Sequence, residues 1–319
     1  MFTRQVAVLI ASAAFVQLAS CGGSSGGGTP PPPPPPQPAV TLPITADNAQ
    51  DITADVLQAI TATIDLIEIV DVIGLPVIAG TDSGLAKTLP SDIFTEIVPC
   101  DTGEATVTWN DADNNLTIST GDTFDVAFSM CFFADAGATL DGASSLTNLV
   151  VTGDPFNQIA PWGLAITFGF DNLSATDISG PAAIDGSLDL DLSSDDNVIV
   201  NLAIDTASLS VQESGITATL SDYVLTETFD QNALTQVINT AGTLTSSLLE
   251  GTVTFDTLQD FVVIGDDNPS SGQMLISDSS SSVLVTVLDN INIQLDIDLD
   301  LDGMIDETIV VSWTDLDID

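Results

Sequence analysis

Asp298, Asp300, Asp302 and Asp306 follow one another at spacings of two, two and four, with Gly303 directly after the third. That order lets carboxylate oxygens from one short loop converge on a hard cation, and the glycine permits the sharp turn such a loop needs. Calcium, which takes about six to eight oxygen ligands, is the cation this pattern suits. Where a terminal bidentate glutamate would complete the shell, the chain has Ile309. A second run, Asp111, Asp113, Asn115 and Asp122 with Ser119 between, repeats the ligand spacing but carries Leu116 at the glycine position. Each run has a plainer reading. Ile291 to Leu301 alternates apolar and polar residues, which would set Asp296, Asp298, Asp300 and Asp302 along one solvated strand face. Asp111 to Asp122 would be a polar hairpin loop between Cys100 and Cys131.

The Asp-x-Asp-x-Asp-Gly-x-x-Asp order of residues 298–306 resembles EF-hand-like and thrombospondin-type calcium loops. The resemblance implies oxygen ligands from Asp298, Asp300, Asp302 and Asp306, without the helices that flank an EF-hand loop.

Other chemistry is removed by composition. The chain has 46 acidic residues, two basic residues and no histidine, for a formal net charge of −44. No Ser-His-Asp triad or His-based zinc site can be built, and no glycine-lysine phosphate loop surrounds Lys87. Nucleic acid is excluded as a partner, because phosphate neutralisation depends on Lys and Arg. Asp82-Ser83-Gly84 and Asp101-Thr102-Gly103 resemble the Asp-Thr/Ser-Gly of aspartic proteases, but stand too close together in the chain for a two-lobed enzyme. A carboxylate-pair hydrolase has no local signature to test. No catalytic residue is assigned, and the chain is not read as an enzyme.

Two kinds of element must position the acidic loops. Ile52, Val56, Ile60, Ile64 and Ile67 recur at helical spacing, which predicts an amphipathic helix over 47–70, opened by a capping box of Asp47 and Gln50 and stopped by Gly74 and Pro76. From about Thr106 the period becomes two, as in Ser187–Leu192, Asn197–Ile204, Val283–Val287 and Ile291–Asp302. Asn232 to Leu249 reads as a short second helix. Leu140-Asp141-Gly142, Ile184-Asp185-Gly186, Leu249-Glu250-Gly251 and Leu301-Asp302-Gly303 recur unevenly and read as turns or bulges of successive hairpins. The expected fold is all-β: an antiparallel meander of about 11 to 12 strands forming a curved sheet, a sandwich or an incomplete barrel, with the helix packed on it. An outer-membrane barrel is rejected, since one face of nearly every strand is polar and aromatics are scarce.

The location is written at the other end. Arg4 precedes an apolar run from Val6 to Leu18, too short to span a bilayer, and Leu18-Ala19-Ser20-Cys21 closes it. This stretch resembles the lipobox of bacterial lipoproteins. The resemblance implies removal of residues 1–20, acylation of Cys21 (a palmitate-type modification) and anchoring in the membrane. Gly22 in place of aspartate directs such proteins to the outer membrane of a Gram-negative bacterium, facing the periplasm or the cell surface. Residues 21–40 are a Gly/Ser- and Pro-rich linker, with Pro30 to Pro36 as an extended spacer, and residues 41–319 form one domain. Cleavage removes Arg4 and leaves Lys87 among the acids, so the body is expected either to live in salt or to bind divalent cations. With Cys21 acylated, Cys100 and Cys131 remain as a pair for a disulfide in an oxidising compartment, the alternative being two buried thiols. Cys100-Asp101, the Asp/Asn-rich loop, Gly121-Asp122, Cys131 and the late Asp-Gly hairpin before Trp313 are similar to acidic surface lipoproteins of Gram-negative bacteria, a resemblance that implies no activity. The expected function is a lipid-anchored structural or binding module, stabilised by calcium. Its protein or hydrophobic small-molecule partner is not read from the sequence. The alternative is a carrier of an acyl chain in an incomplete barrel, resembling periplasmic lipoprotein carriers.

Overall fold

In a computed structural model the described residues are 43–73, 93–98, 100–115, 117–134, 137–155, 157–176, 180–213, 215–265 and 268–316. Residues 1–42, on which the expected signal sequence, the acylated Cys21 and the linker fall, lie outside them, as do Asp82-Ser83-Gly84 and Lys87. No helix of the described residues is long and apolar enough to cross a membrane.

Fourteen strands follow the helix in one antiparallel sheet whose spatial order is the chain order. They are β1 (Ile93–Val98), β2 (Thr102–Asn110), β3 (Thr123–Phe133), β4 (Ala138–Asp154), β5 (Ile159–Thr176), β6 (Pro181–Ser194) and β7 (Ile199–Glu213). The second half comprises β8 (Ile216–Asp230), β9 (Thr235–Ser246), β10 (Gly251–Ile264), β11 (Ser271–Ser277), β12 (Ser282–Val287), β13 (Asn292–Asp298) and β14 (Glu307–Ser312). The meander is the all-β fold that the alternating sequence predicts, as a single sheet that stays open, with β1 and β14 at its two edges. The expected second helix is β9 instead. Thr235 to Ser246 is rich in Thr, Val and Ile, whose branched side chains fit a pleated surface better than a helix.

The helix, α1 (Ala49–Ile73), begins after a turn in which the Thr45 amide donates to Asn48 Oδ1 at 2.7 Å. The capping box is not formed, because the Gln50 side-chain amide reaches away to the Asp315 carbonyl at 2.8 Å. Ile52, Val56 and Ile60 are buried, and they join one continuous apolar cluster with Phe124, Leu146, Phe168, Leu188, Ile204 and inward residues of the later strands as far as β14. The 3-10 turn Trp313–Leu316 closes this core with Trp313 and Leu316. The helix stripe therefore covers one face of the sheet, as its period requires.

The sheet is bent by a row of bulges. β3 to β8 slip register between Phe128 and Cys131, Asp141 and Ala143, Phe170 and Leu173, Gly186 and Asp189, and Ser221 and Val224. Residues in the left-handed region mark these places: Met130, Gly142, Asn172, Gly186 and Asp222. Two of the recurrent acid-glycine pairs sit here. Asp141 Oδ1 accepts the Met130 amide at 3.1 Å, and Asp185 Oδ1 accepts the Asn172 amide at 3.1 Å, so each acid satisfies a donor that the neighbouring bulge displaces. The other two pairs lie in turns, where Glu250 and Gly303 have positive φ. Each bulge bends its strand and raises its twist, which lets long strands curve around α1.

The core carries three polar groups that strain it. Asp55 on α1 faces Ser246; burial pushes its carboxyl pKa up, the Ser246 hydroxyl pulls it back only in part, and Oδ2 has no hydrogen-bond partner. Burial raises Glu227 likewise, opposed by the Gln236 amide. Tyr223 is fully buried beside Phe255, and burial pushes its phenol well above the ordinary value. Its hydroxyl has no partner at hydrogen-bond distance, although Thr240 and Thr63 stand close enough to offset a little of that burial. A carboxyl whose pKa is higher folded than unfolded favours folding below the unfolded pKa and loses that contribution as pH rises through the folded pKa. Asp55→Asn is thus expected to melt higher than the parent at pH 7 and to match it near pH 3. Thermal melts across that window check it, and an equal difference at both ends would contradict the burial argument.

Candidate metal centres

The two acidic loops lie at opposite ends of the strands. Asp111 to Asp122 joins β2 to β3, and residues 299–306 join β13 to β14.

In the first loop Asp111, Asp113 and Asp122 each offer a carboxylate oxygen, all within 4.8 Å of one another. Asp111 and Asp122 are 0% exposed, so two carboxylates are held out of water. Backbone donors hold them. Asp122 Oδ1 accepts the Ala112 amide at 2.9 Å, its Oδ2 accepts the Ser119 amide at 3.0 Å and the Trp109 indole N–H at 3.4 Å, and Asp111 Oδ1 accepts the Asn115 amide at 3.2 Å. Trp109 stacks on Phe124 with ring centroids 5.8 Å apart, fixing the indole that orients Asp122. Asn115 turns aside, its Oδ1 accepting the Thr117 amide at 2.6 Å. The Ser119 hydroxyl oxygen is buried and has no hydrogen-bond partner. It stands at the loop position where a calcium site takes a side-chain or water oxygen.

In the second loop the strand period ends at Asp298, and the solvated-strand reading fails beyond it. Asp296 lies on the face opposite the core residues Leu295 and Ile297, yet is only 8% exposed, because Thr308 Oγ1 donates to it at 2.7 Å and the Gln294 amide at 2.8 Å. Asp298, Asp300 and Asp306 bring carboxylate oxygens within 4.8 Å of one another. Asp302 is not in this group; its Oδ1 accepts the Met304 amide at 2.8 Å, because Leu301 and Gly303 both take positive φ and swing it outward. Asp298 Oδ2 accepts the Gly303 amide at 2.9 Å and Asp306 Oδ2 accepts the Leu299 amide at 2.8 Å, so the loop is wound inward on its own acids. Three of the four expected ligands converge here, and Asp111, Asp113 and Asp122 of the four expected in the first loop.

Cys100 and Cys131 are joined by a disulfide with Cα atoms 5.4 Å apart, tying the start of β2 to the β3 bulge. Asp101 of the protease-like tripeptide serves structure there, its Oδ2 accepting the Ala134 amide at 2.7 Å. Gly103 of the same tripeptide passes over the Met130 carbonyl at positive φ. The polar groups that the sequence reading missed are Asp55 and Tyr223; their alternation and helical spacing mark an inward face but not its polarity.

No family model, curated protein or solved structure matches the chain.

Proposed function

We propose that this protein is a lipid-anchored extracytoplasmic module, structural or binding in role, whose two acidic loops are completed by calcium. The observation that carries the reading is the convergence of three carboxylates in each loop, two of those in the first loop being buried. Like charges at such range repel by about 1 kcal/mol even in water and by more where solvent is excluded, so a hard divalent cation is the partner that removes the cost. The filled face of the sheet supports a module over an acyl carrier. Where a carrier would hold its cargo, Ile52, Val56 and Ile60 pack against the strands.

Titration of the metal-free chain with calcium is expected to release heat and raise the melting temperature. Binding at about 100 times Kd stabilises a protein by about 2.7 kcal/mol. Asp113→Asn and Asp300→Asn should each remove the response of one loop and leave the other. Absence of both heat and thermal shift in the parent protein would reject the calcium reading.

A further inference from the structure

Four large apolar side chains project from the loop that also carries the second acidic group: Leu299 is 44% exposed, Leu301 46%, Met304 68% and Ile305 58%. Elsewhere among the described residues the exposed large apolar side chains are spread along strands, such as Ile97, Val224 and Leu258, or stand singly or in a pair on turns, such as Leu234, Leu248 and the pair Leu288 and Ile291. Burying such a concentration needs a partner surface.

The path of the chain says which surface. The Ile44 amide donates to Ser281 Oγ at 2.6 Å, and Ser282, the next residue, pairs with Asp298 at the mouth of the loop. The segment arriving from Cys21 therefore joins the body at the same strand ends as Leu299 to Asp306. Residues 22–42 then separate Cys21 from the body, a length that reaches at most about 3.3 to 3.6 Å per residue. A domain tethered at this end meets the bilayer as an intramolecular partner, at an effective concentration that makes a weak contact count.

We infer that the 299–306 loop docks on the zwitterionic bilayer surface to which the chain is anchored, its apolar residues entering the interface while Asp302, which stands outside the calcium group, faces headgroup ammonium groups. This rests on the lipid-anchor reading of Cys21. Leu299, Leu301, Met304 and Ile305 alternate or adjoin with Asp298, Asp300, Asp302 and Asp306, so insertion of one set leaves the other at headgroup level. A phosphatidylethanolamine surface supplies the complementary charge; an anionic surface repels the same acids.

The test uses the chain from Cys21 to Asp319 coupled through Cys21, the one thiol outside the Cys100–Cys131 disulfide, to a maleimide lipid in phosphatidylethanolamine/phosphatidylcholine vesicles. Coupling makes the tether independent of whether cells acylate Cys21. Tryptophan introduced by Met304→Trp should shift to the blue and be quenched by brominated acyl chains about threefold more than tryptophan introduced by Ile291→Trp at the opposite strand ends. Leu299→Ser with Ile305→Ser should abolish the excess, and phosphatidylglycerol in place of phosphatidylethanolamine should reduce it. Equal quenching at both ends, quenching unaffected by headgroup charge, or a blue shift that needs no vesicles and grows with protein concentration, as contact with a second copy would give, overturns the inference. Metabolic labelling of Cys21 with palmitate, against Cys21→Ser, tests the anchor separately. Its failure would withdraw the anchor while leaving the vesicle result standing.

Discussion

Gly142→Ala and Gly186→Ala are each expected to cost about 3 kcal/mol of stability. Both residues occupy φ values that side chains rarely adopt, +105° and +125°. Both also lie against neighbouring backbone: a Cβ at Gly142 would stand 2.3 Å from the Asn172 carbonyl oxygen, and one at Gly186 2.3 Å from that of Ser208. Neither neighbour can turn away, because Asn172 and Ser208 sit within paired strands on the same bulge row. Two other glycines separate the contributions. Gly215 has φ +87° with nothing within 4 Å of a Cβ, so Gly215→Ala isolates the conformational cost of about 1 kcal/mol. Gly169 has ordinary φ and would meet the Ser145 hydroxyl at 2.6 Å, a group that rotates, so Gly169→Ala should be nearly silent. For a domain of this size about 2 to 4 °C of melting temperature follows each kcal/mol. Melts of the four variants should therefore rank Gly169, Gly215, then Gly142 with Gly186. A Gly142→Ala variant no worse than Gly215→Ala would mean that the bulge row yields and does not set the bend of the sheet.

That row also explains what the sequence could and could not disclose. A half-buried strand announces itself by period two, and β12 and β13 keep it closely enough to be read directly. β8 does not: Leu220, Tyr223 and Leu225 are all buried, at spacings of three and two, because the bulge at Asp222 inserts a residue and resets the alternation. A reader of period two meets a broken pattern there and counts fewer strands than the fourteen found among the described residues. The acid-glycine recurrence was the visible trace of this device, since a bulge needs a residue that tolerates positive φ and an acceptor for the displaced amide. The metal-centre residues were legible for a different reason. Their spacing lies within one loop, so local sequence determines which oxygens can meet. Asp302 was misplaced because its direction depends on the left-handed turn at Leu301, a non-glycine residue whose φ no spacing rule reveals. Asp55 and Asp296 were illegible as buried carboxyls, since their burial comes from Ser246, Thr308 and Gln294, partners set by tertiary pairing.

Removing the disulfide through Cys100→Ala with Cys131→Ala is expected to lower stability by about 3.5 to 4 kcal/mol, the entropy of closing a loop of 31 residues in the unfolded chain. The native contacts at this place argue that most of the effect arises in the unfolded state. Around the bond, the Asp101 amide donates to the Phe132 carbonyl at 2.9 Å and Thr102 pairs with Phe132, so the folded geometry survives without a covalent link. Urea unfolding of the double variant should then show a lower midpoint with a steeper slope, because an uncrosslinked chain exposes more surface when it unfolds. The position in the sheet adds a second consequence. β1 and β2 form the N-terminal edge and hold to the rest through the β2–β3 ladder, which slips register between Thr102 and Glu104, next to the disulfide, and through Trp109, which packs on the core. Without the bond, the amides of β1 and β2 should exchange faster than those of β11 to β13, whose inward residues lie in the core cluster. Unchanged exchange at this edge would show that the ladder and Trp109 suffice to hold it, and would assign the whole loss of stability to the unfolded chain.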